Sequence, residues 1–180
     1  VFQIIKNEQP ISRAAIAKQT GMSPTTVSRI VAELTDEGYV HETEEQVSAG
    51  RGRKSSLIRL LDTAVISIGV ELDRDRANIG FVDIQGNVLC SESFNRPPNE
   101  EASTTVARIG STIEDLIATG GIDRKRIVGI GVGLPGIIEV QEGIVKFSVQ
   151  LGWKNIRLAD LLQDVTGFQA VVDNELKVKA

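Results

Sequence analysis

The chain has 180 residues, 41% of them hydrophobic, and a formal net charge of −4. That length holds one medium domain or a small domain joined to a larger one, and the charge excludes a generally basic nucleic-acid binder. No apolar run approaches the roughly 18–20 residues that span a bilayer, and "VFQIIKNEQP" lacks the order of a signal peptide, so a cytoplasmic protein is expected.

Charge is unevenly placed: residues 1–60 carry 8 Lys and Arg against 7 Asp and Glu, and residues 61–180 carry 12 against 17. A nearly neutral segment precedes an acidic one, so any contact with nucleic acid must come from a local basic patch. Residues 1–6 read as the end of a helix, broken by Asn7 to Pro10 because proline disfavours helix in the residue before it. Ser12 caps a second helix over "RAAIAKQT", which Gly21 ends. Ser23 caps a third, with Pro24 at its first position and Val27, Ile30, Val31 and Leu34 at helical spacing as the buried stripe, closed by Gly38.

Helix, glycine turn and helix form a helix-turn-helix, and the burial of that stripe leaves Thr25, Thr26, Ser28 and Arg29 outward. Hydroxyls and a guanidinium near a helix start suit phosphate oxygens and base edges in a major groove, with Ser23 at the same end. An ordinary three-helix bundle with a polar surface is the competing explanation. "YVHETEE" and "SSLIRLL" then read as a hairpin whose turn, "SAGRGRKSS", presents Arg51, Gly52, Arg53 and Lys54. A hairpin at this place is a wing, and arginines on a thin glycine loop fit the negative potential of a minor groove. Neutralisation of Glu42, Glu44 and Glu45 by those cations is the bland alternative.

A polar joint over residues 61–63 leads to "VISIGVEL", "ANIGFVDI" and "NVLCSESF", three strands of an antiparallel meander. Cys90 in the third has no cysteine partner and reads as a small buried hydrophobe. A long amphipathic helix over residues 100–120 follows, with Val106, Ile109, Ile113, Leu116 and Ile117 on one side. "IVGIGVGL", apolar throughout, reads as a strand buried on both faces. A helix near residues 158–165, a strand at 170–172 and the start of another helix complete an α/β order similar to one lobe of the actin-like ATPase and sugar-kinase fold.

Two stretches of this second module carry chemistry. The glycines of "GIGVGLPGII" let backbone approach a ligand, though a tight strand-to-hairpin turn explains them equally. "VVDNELKVKA" places Asp173, Asn174 and Glu175 at a strand end, where α/β sheets collect ligands. An amide beside a carboxylate suits polyhydroxy compounds, and helix capping by Asp173 or Asn174 is the alternative.

Winged helix, "GRGRK", "GIGVGLPGII", "FSVQLGW" and "VVDNELKVKA", in that order across essentially all 180 residues, resemble the ROK family of bacterial repressors and sugar kinases, most nearly its xylose-repressor-like branch. The resemblance implies a winged helix-turn-helix over residues 1–60, the linker 61–63, and over 64–180 the first lobe of a sugar-sensing domain. It also implies a repressor of carbohydrate-utilisation genes, a homodimer or homotetramer on a double-stranded DNA operator, with binding modulated by a sugar or sugar derivative. Gly136 and Asn174 stand where the family contacts sugar, and Glu175 where its kinases hold an aspartate general base. The extra methylene of glutamate displaces that carboxylate, which argues against phosphoryl transfer.

The family kinases carry an Asp-x-Gly-x-Thr turn that cradles ATP phosphates, whereas this chain has Glu71-Leu72-Asp73-Arg74-Asp75-Arg76. Side chains fill the turn and added carboxylates repel phosphate, so no catalytic residue and no ATP are expected. The family's His/Cys zinc motif would lie beyond Ala180, where the lobe reads as truncated, so no metal or cofactor is expected in this segment. Two alternatives stand beside the repressor: a ROK-type sugar kinase with an appended DNA-binding domain, and a module whose helices bind another protein.

Overall fold

The computed structural model of the protein describes residues 1–47 and 55–174. The chain folds as two compact units, Val1–Ala64 and Val65–Ala180. The joint expected at 61–63 belongs to the first unit: the Leu61 N–H donates to the Tyr39 carbonyl at 3.0 Å, and Asp62–Ala64 form a single 3-10 turn that buries Ala64. Its polar letters gave no sign of that bond, because the acceptor sits 22 residues earlier.

The first unit runs α1 (Phe2–Glu8), β1 (Ile11–Ser12), α2 (Arg13–Thr20), α3 (Pro24–Asp36), β2 (Val40–Val47) and β3 (Ser55–Leu60). Its helix boundaries follow from local chemistry. Ser12 Oγ accepts from the Ala15 N–H at the start of α2, and Gly21, in the left-handed conformation at φ 70°, ends it. Ser23 Oγ accepts from the Thr26 N–H at 3.1 Å, and Pro24 opens α3. Ile5, Ile16, Val27, Val31 and Ile58 are fully buried beneath. Ile30 and Leu34, expected in the same stripe, are only half-buried, because so small a unit covers one narrow line of α3.

The hairpin of β2 and β3 runs from Val40↔Leu60 to Val47↔Ser55, with an irregularity between Thr43 and Gln46. A third strand joins it: β1 pairs antiparallel with β3 through Ile11↔Ile58 and Ser12↔Leu57, giving the order β1-β3-β2. This strand was not anticipated, since two residues carry no periodicity and their partner is remote. The tip of the wing, with Arg51, Gly52, Arg53 and Lys54, lies outside the described residues.

The second unit is built on a five-stranded sheet of order β11-β7-β4-β5-β6. Strands β4 (Ile66–Leu72), β5 (Arg76–Asp83) and β6 (Val88–Asn95) form the antiparallel meander, while β7 (Ile127–Leu134) and β11 (Ala170–Asn174) run parallel to β4. One face carries Ile68, Val70, Ile79, Phe81, Val132 and Val172, buried in one core with α4 (Ala102–Gly120) and α5 (Leu158–Thr166). Between the parallel strands a small sheet is inserted, made of β8 (Ile137–Glu139), β9 (Ile144–Ser148) and β10 (Trp153–Arg157) in the order β10-β9-β8.

Strand β7 corrects an expectation. Read as buried on both faces, it leaves Val128 64% exposed and Gly131 open. Glycines interleaved with Ile, Val and Leu make the run look uniformly apolar, although only the residues with large side chains need a covered face. The other face of the sheet holds a hollow of about 590 Å³ lined by Ser67, Gly69, Glu71, Asn78, Gly131 and Asp173 among others.

Candidate nucleic-acid interface and effector site

In the first unit the proposed recognition surface is the amino-terminal half of α3. Ser23, Thr25, Ser28 and Arg29 are exposed, as the sequence pattern requires. Thr26 is half-buried, and its Oγ1 hydrogen-bonds Ser23 Oγ at 2.9 Å. The expectation of four outward groups is thus corrected to three, with Thr26 and Ser23 sharing the cap. Pro24 has no N–H and Ser23 Oγ holds the Thr26 N–H, so what this helix start offers an anion such as phosphate is mainly the positive end of its dipole.

Arg29 Nη1 meets Glu33 Oε1 at 2.6 Å, one turn on, with both side chains more than half exposed. Sequence reading missed this pair, although the i,i+4 spacing announces it. Acidic Glu33, Asp36 and Glu37 follow, so phosphate can approach α3 only over its first two turns. Elsewhere in the unit, Arg13 Nη2 donates to Glu42 Oε1 at 2.6 Å and Ser56 donates to the same carboxylate, tying α2 to the hairpin.

In the second unit, Gly136 and Asn174 come together although 38 residues apart in sequence: Asn174 Nδ2 donates to the Gly136 carbonyl at 2.8 Å. The Asn174 N–H donates to Asp173 Oδ1 at 2.7 Å. Gly136 has φ 150°, and a Cβ there would lie 2.6 Å from the Phe147 carbonyl oxygen, so both conformation and space require glycine. Ser148, beside it, is buried and donates from Oγ to the Pro135 carbonyl at 2.5 Å. Glu175 lies outside the described residues. The hollow on the open sheet face includes neither Gly136 nor Asn174.

The turn between β4 and β5 is closed upon itself. The Asp73 N–H donates to the Arg76 carbonyl at 2.8 Å, and the Arg74 N–H to Asp73 Oδ1 at 2.8 Å. Those amides therefore already have acceptors within the turn. Glu71 Oε2 accepts from Asn78 Nδ2 at 2.9 Å, and Arg76 Nη2 donates to Ser93 Oγ at 2.6 Å. Cys90 is half-buried, and burial pushes its thiol pKa up. Among the described residues no group of three or more His, Cys, Asp or Glu side chains is placed to hold a metal ion, and no helix is long and apolar enough to cross a membrane.

A winged helix-turn-helix followed along the chain by a lobe of the actin-like sugar-kinase type defines a two-module α/β architecture. Residues 67–180 match the ROK family model and residues 1–41 a winged helix-turn-helix DNA-binding model, and the chain belongs to the ROK family. Similar curated proteins include a xylose repressor of Caldicellulosiruptor bescii, 31% identical over 180 residues, which are all of this chain and 45% of that protein. An N-acetylglucosamine repressor of Escherichia coli O6:H1 is 27% identical over 164 residues, 91% of this chain and 40% of that one. The chain thus spans about half the length of the curated relatives it matches. A solved ROK family transcriptional regulator, a homologue of the E. coli MLC protein, matches 96% of this chain and 43% of its own at 26% identity and TM-score 0.70. A ROK hexokinase from Thermus thermophilus shares the fold over 61% of this chain and 35% of its own, at 19% identity and TM-score 0.53.

Proposed function

We propose that this protein is a sequence-specific DNA-binding transcriptional repressor whose operator affinity is set by a sugar or sugar derivative. The observation that carries this reading is the joining, on one chain, of an exposed helix start bearing Thr25, Ser28 and Arg29 to a ROK lobe that brings Gly136 and Asn174 together. Arg29 meets phosphate after leaving Glu33, and Arg51 and Arg53 on the wing approach the adjoining minor groove. As a homodimer or homotetramer the protein would set two recognition helices in successive major grooves. Sugar bound more tightly in one arrangement of the oligomer than in the other would then release, or strengthen, the operator complex. The names of the relatives make D-xylose and N-acetylglucosamine the first ligands to try.

The lobe acts in this reading as a sensor without phosphoryl transfer. Amides of the β4–β5 turn are occupied by the turn's own carbonyl and carboxylate groups, and Asp73 and Asp75 would repel a phosphate. No zinc or nucleotide takes part in this account. A titration of duplex DNA at several salt concentrations tests the DNA surface: Arg29→Ala should lower the slope of log K against log salt by about 1, and the double replacement of Arg51 and Arg53 by about 2. Unchanged slopes would remove these residues from the interface. ATP-dependent phosphorylation of either sugar in a coupled assay would overturn the sensor reading in favour of a kinase.

A further inference from the structure

Arg96 is the most deeply buried cation among the described residues, 2% exposed, and its guanidinium donates to backbone carbonyls, with the Glu100 charge nearby. Its Nη1 donates to the Arg74 carbonyl at 3.0 Å, with the Asp73 carbonyl further off at 3.5 Å, and its backbone N–H donates to the Asp75 carbonyl at 2.8 Å. Main chain and side chain together thus clasp the β4–β5 turn. On its other side Nη2 donates to the Glu100 carbonyl at 3.2 Å. That same oxygen accepts from Trp153 Nε1 at 2.9 Å, and the guanidinium lies 5.3 Å from the centre of the Trp153 ring.

Glu100 is itself fixed, since its carboxylate accepts from Thr105 Oγ1 and Arg108 Nη1. The neighbouring backbone is equally tight: a Cβ on Gly152 would lie 2.6 Å from Asn99 Oδ1. Trp153 pairs across β10 and β9 with Ser148, whose Oγ accepts from the Leu151 N–H and donates to the carbonyl of Pro135, next to Gly136. A continuous chain of bonded and packed groups therefore runs from Asn174 and Gly136 through Ser148 and Trp153 to Arg96 and the turn. The arrangement carries a cost, since Arg96 Nε is buried without an acceptor among the described residues. Burial also disfavours the charge on Arg96, with Glu100 opposing that effect. A cation with an orphaned buried donor is not needed for packing alone, where a methionine fills space without orphaned donors.

We propose that Arg96 is a positioning residue that makes the β4–β5 turn and the Ser148–Trp153 segment move as one body, so that a ligand settling against Gly136 and Asn174 also repositions the turn. The inference rests on the effector role given to those two residues under the proposed function. It gives the turn a task other than holding phosphate: its exposed charges report the state of the effector site at the surface.

Hydrogen exchange and tryptophan emission on the intact protein test this, because Trp153 is its single tryptophan within these 180 residues. In ligand-free protein Arg96→Met should speed exchange at the amides of Asp73 and Arg74 and at those of Leu151 and Trp153 by about tenfold or more, with the Ile109–Ile113 amides of α4 unchanged. Trp153 emission should shift as well. Arg96→Lys keeps a cation over the ring but cannot fork between Arg74 and Glu100, and should loosen the same two segments; it serves if the methionine variant fails to fold. With D-xylose or N-acetylglucosamine bound, the wild type should show slower exchange at Asp73 and Arg74, and the variants should bind the sugar without that response. Wild-type exchange at Leu151 and Trp153 in a folded variant, or a turn that still responds to sugar without Arg96, would overturn the proposal. If neither sugar perturbs the wild type, the choice of effector fails, and the ligand-free comparison still decides whether Arg96 joins the two segments.

Discussion

Gly136 is where backbone conformation and proposed ligand contact coincide. Its φ of 150° and the Phe147 oxygen 2.6 Å from any added Cβ leave alanine no relaxed position. Gly136→Ala should cost about 1–3 kcal/mol in chemical denaturation, as residues forced into sparsely populated backbone regions do, and should weaken any sugar that releases DNA. A second single-residue prediction concerns Glu42. The Arg13 hydrogen bond first, then that of Ser56, holds its carboxyl below the ordinary value of 4.5, with burial opposing. The charged form is favoured in the folded unit, so this stabilisation is present above the ordinary carboxylate range and disappears as pH falls through the lowered value. Glu42→Gln should therefore unfold more readily than wild type at pH 7, and the difference should shrink as pH falls from the ordinary carboxylate value through the lowered one, measured by thermal melts across that range. Arg96 shows what a sequence conceals at this scale. "FNRPPNE" looks like a polar loop, and nothing in it says that its arginine reaches a carbonyl 22 residues earlier and the ring of Trp153 far downstream.

At the scale of elements, local chemistry was legible and remote pairing was not. The caps Ser12 and Ser23, the proline at the start of α3 and the left-handed Gly21 act within one turn of themselves, so the helix-turn-helix could be placed from letters alone. Ser23→Ala should accordingly cost about 1 kcal/mol in urea unfolding. An undiminished stability would show that the hydroxyl is spent elsewhere. Strand β1 escaped notice because it exists only through its pairing with β3, and the open face of β7 because hydrophobicity does not say which side a neighbour covers. The candidate effector pair was legible differently. Gly136 and Asn174 were indicated by family pattern, whereas the hydrogen bond between them depends on the register of β11 beside β7 and on the inserted hairpin.

For the whole molecule, the charge division makes physical sense as a division of labour. The acidic second unit need not approach DNA, and the nearly neutral first unit carries Arg29 near the start of α3 and exposed Lys6 and Lys18 among its few cations. Such a surface gives modest non-specific attraction, so recognition must rest on base contacts and groove shape rather than on charge. The most direct measurement is selection of bound duplexes from a random pool by the intact protein, followed by anisotropy titration of the enriched sequence with and without D-xylose or N-acetylglucosamine. The account predicts an enriched, two-fold related sequence bound about a thousandfold more tightly than random duplex, with an affinity that one of the sugars changes by about fivefold or more. Equal affinity for enriched and random duplexes, or a specific complex that responds to no sugar, would contradict it.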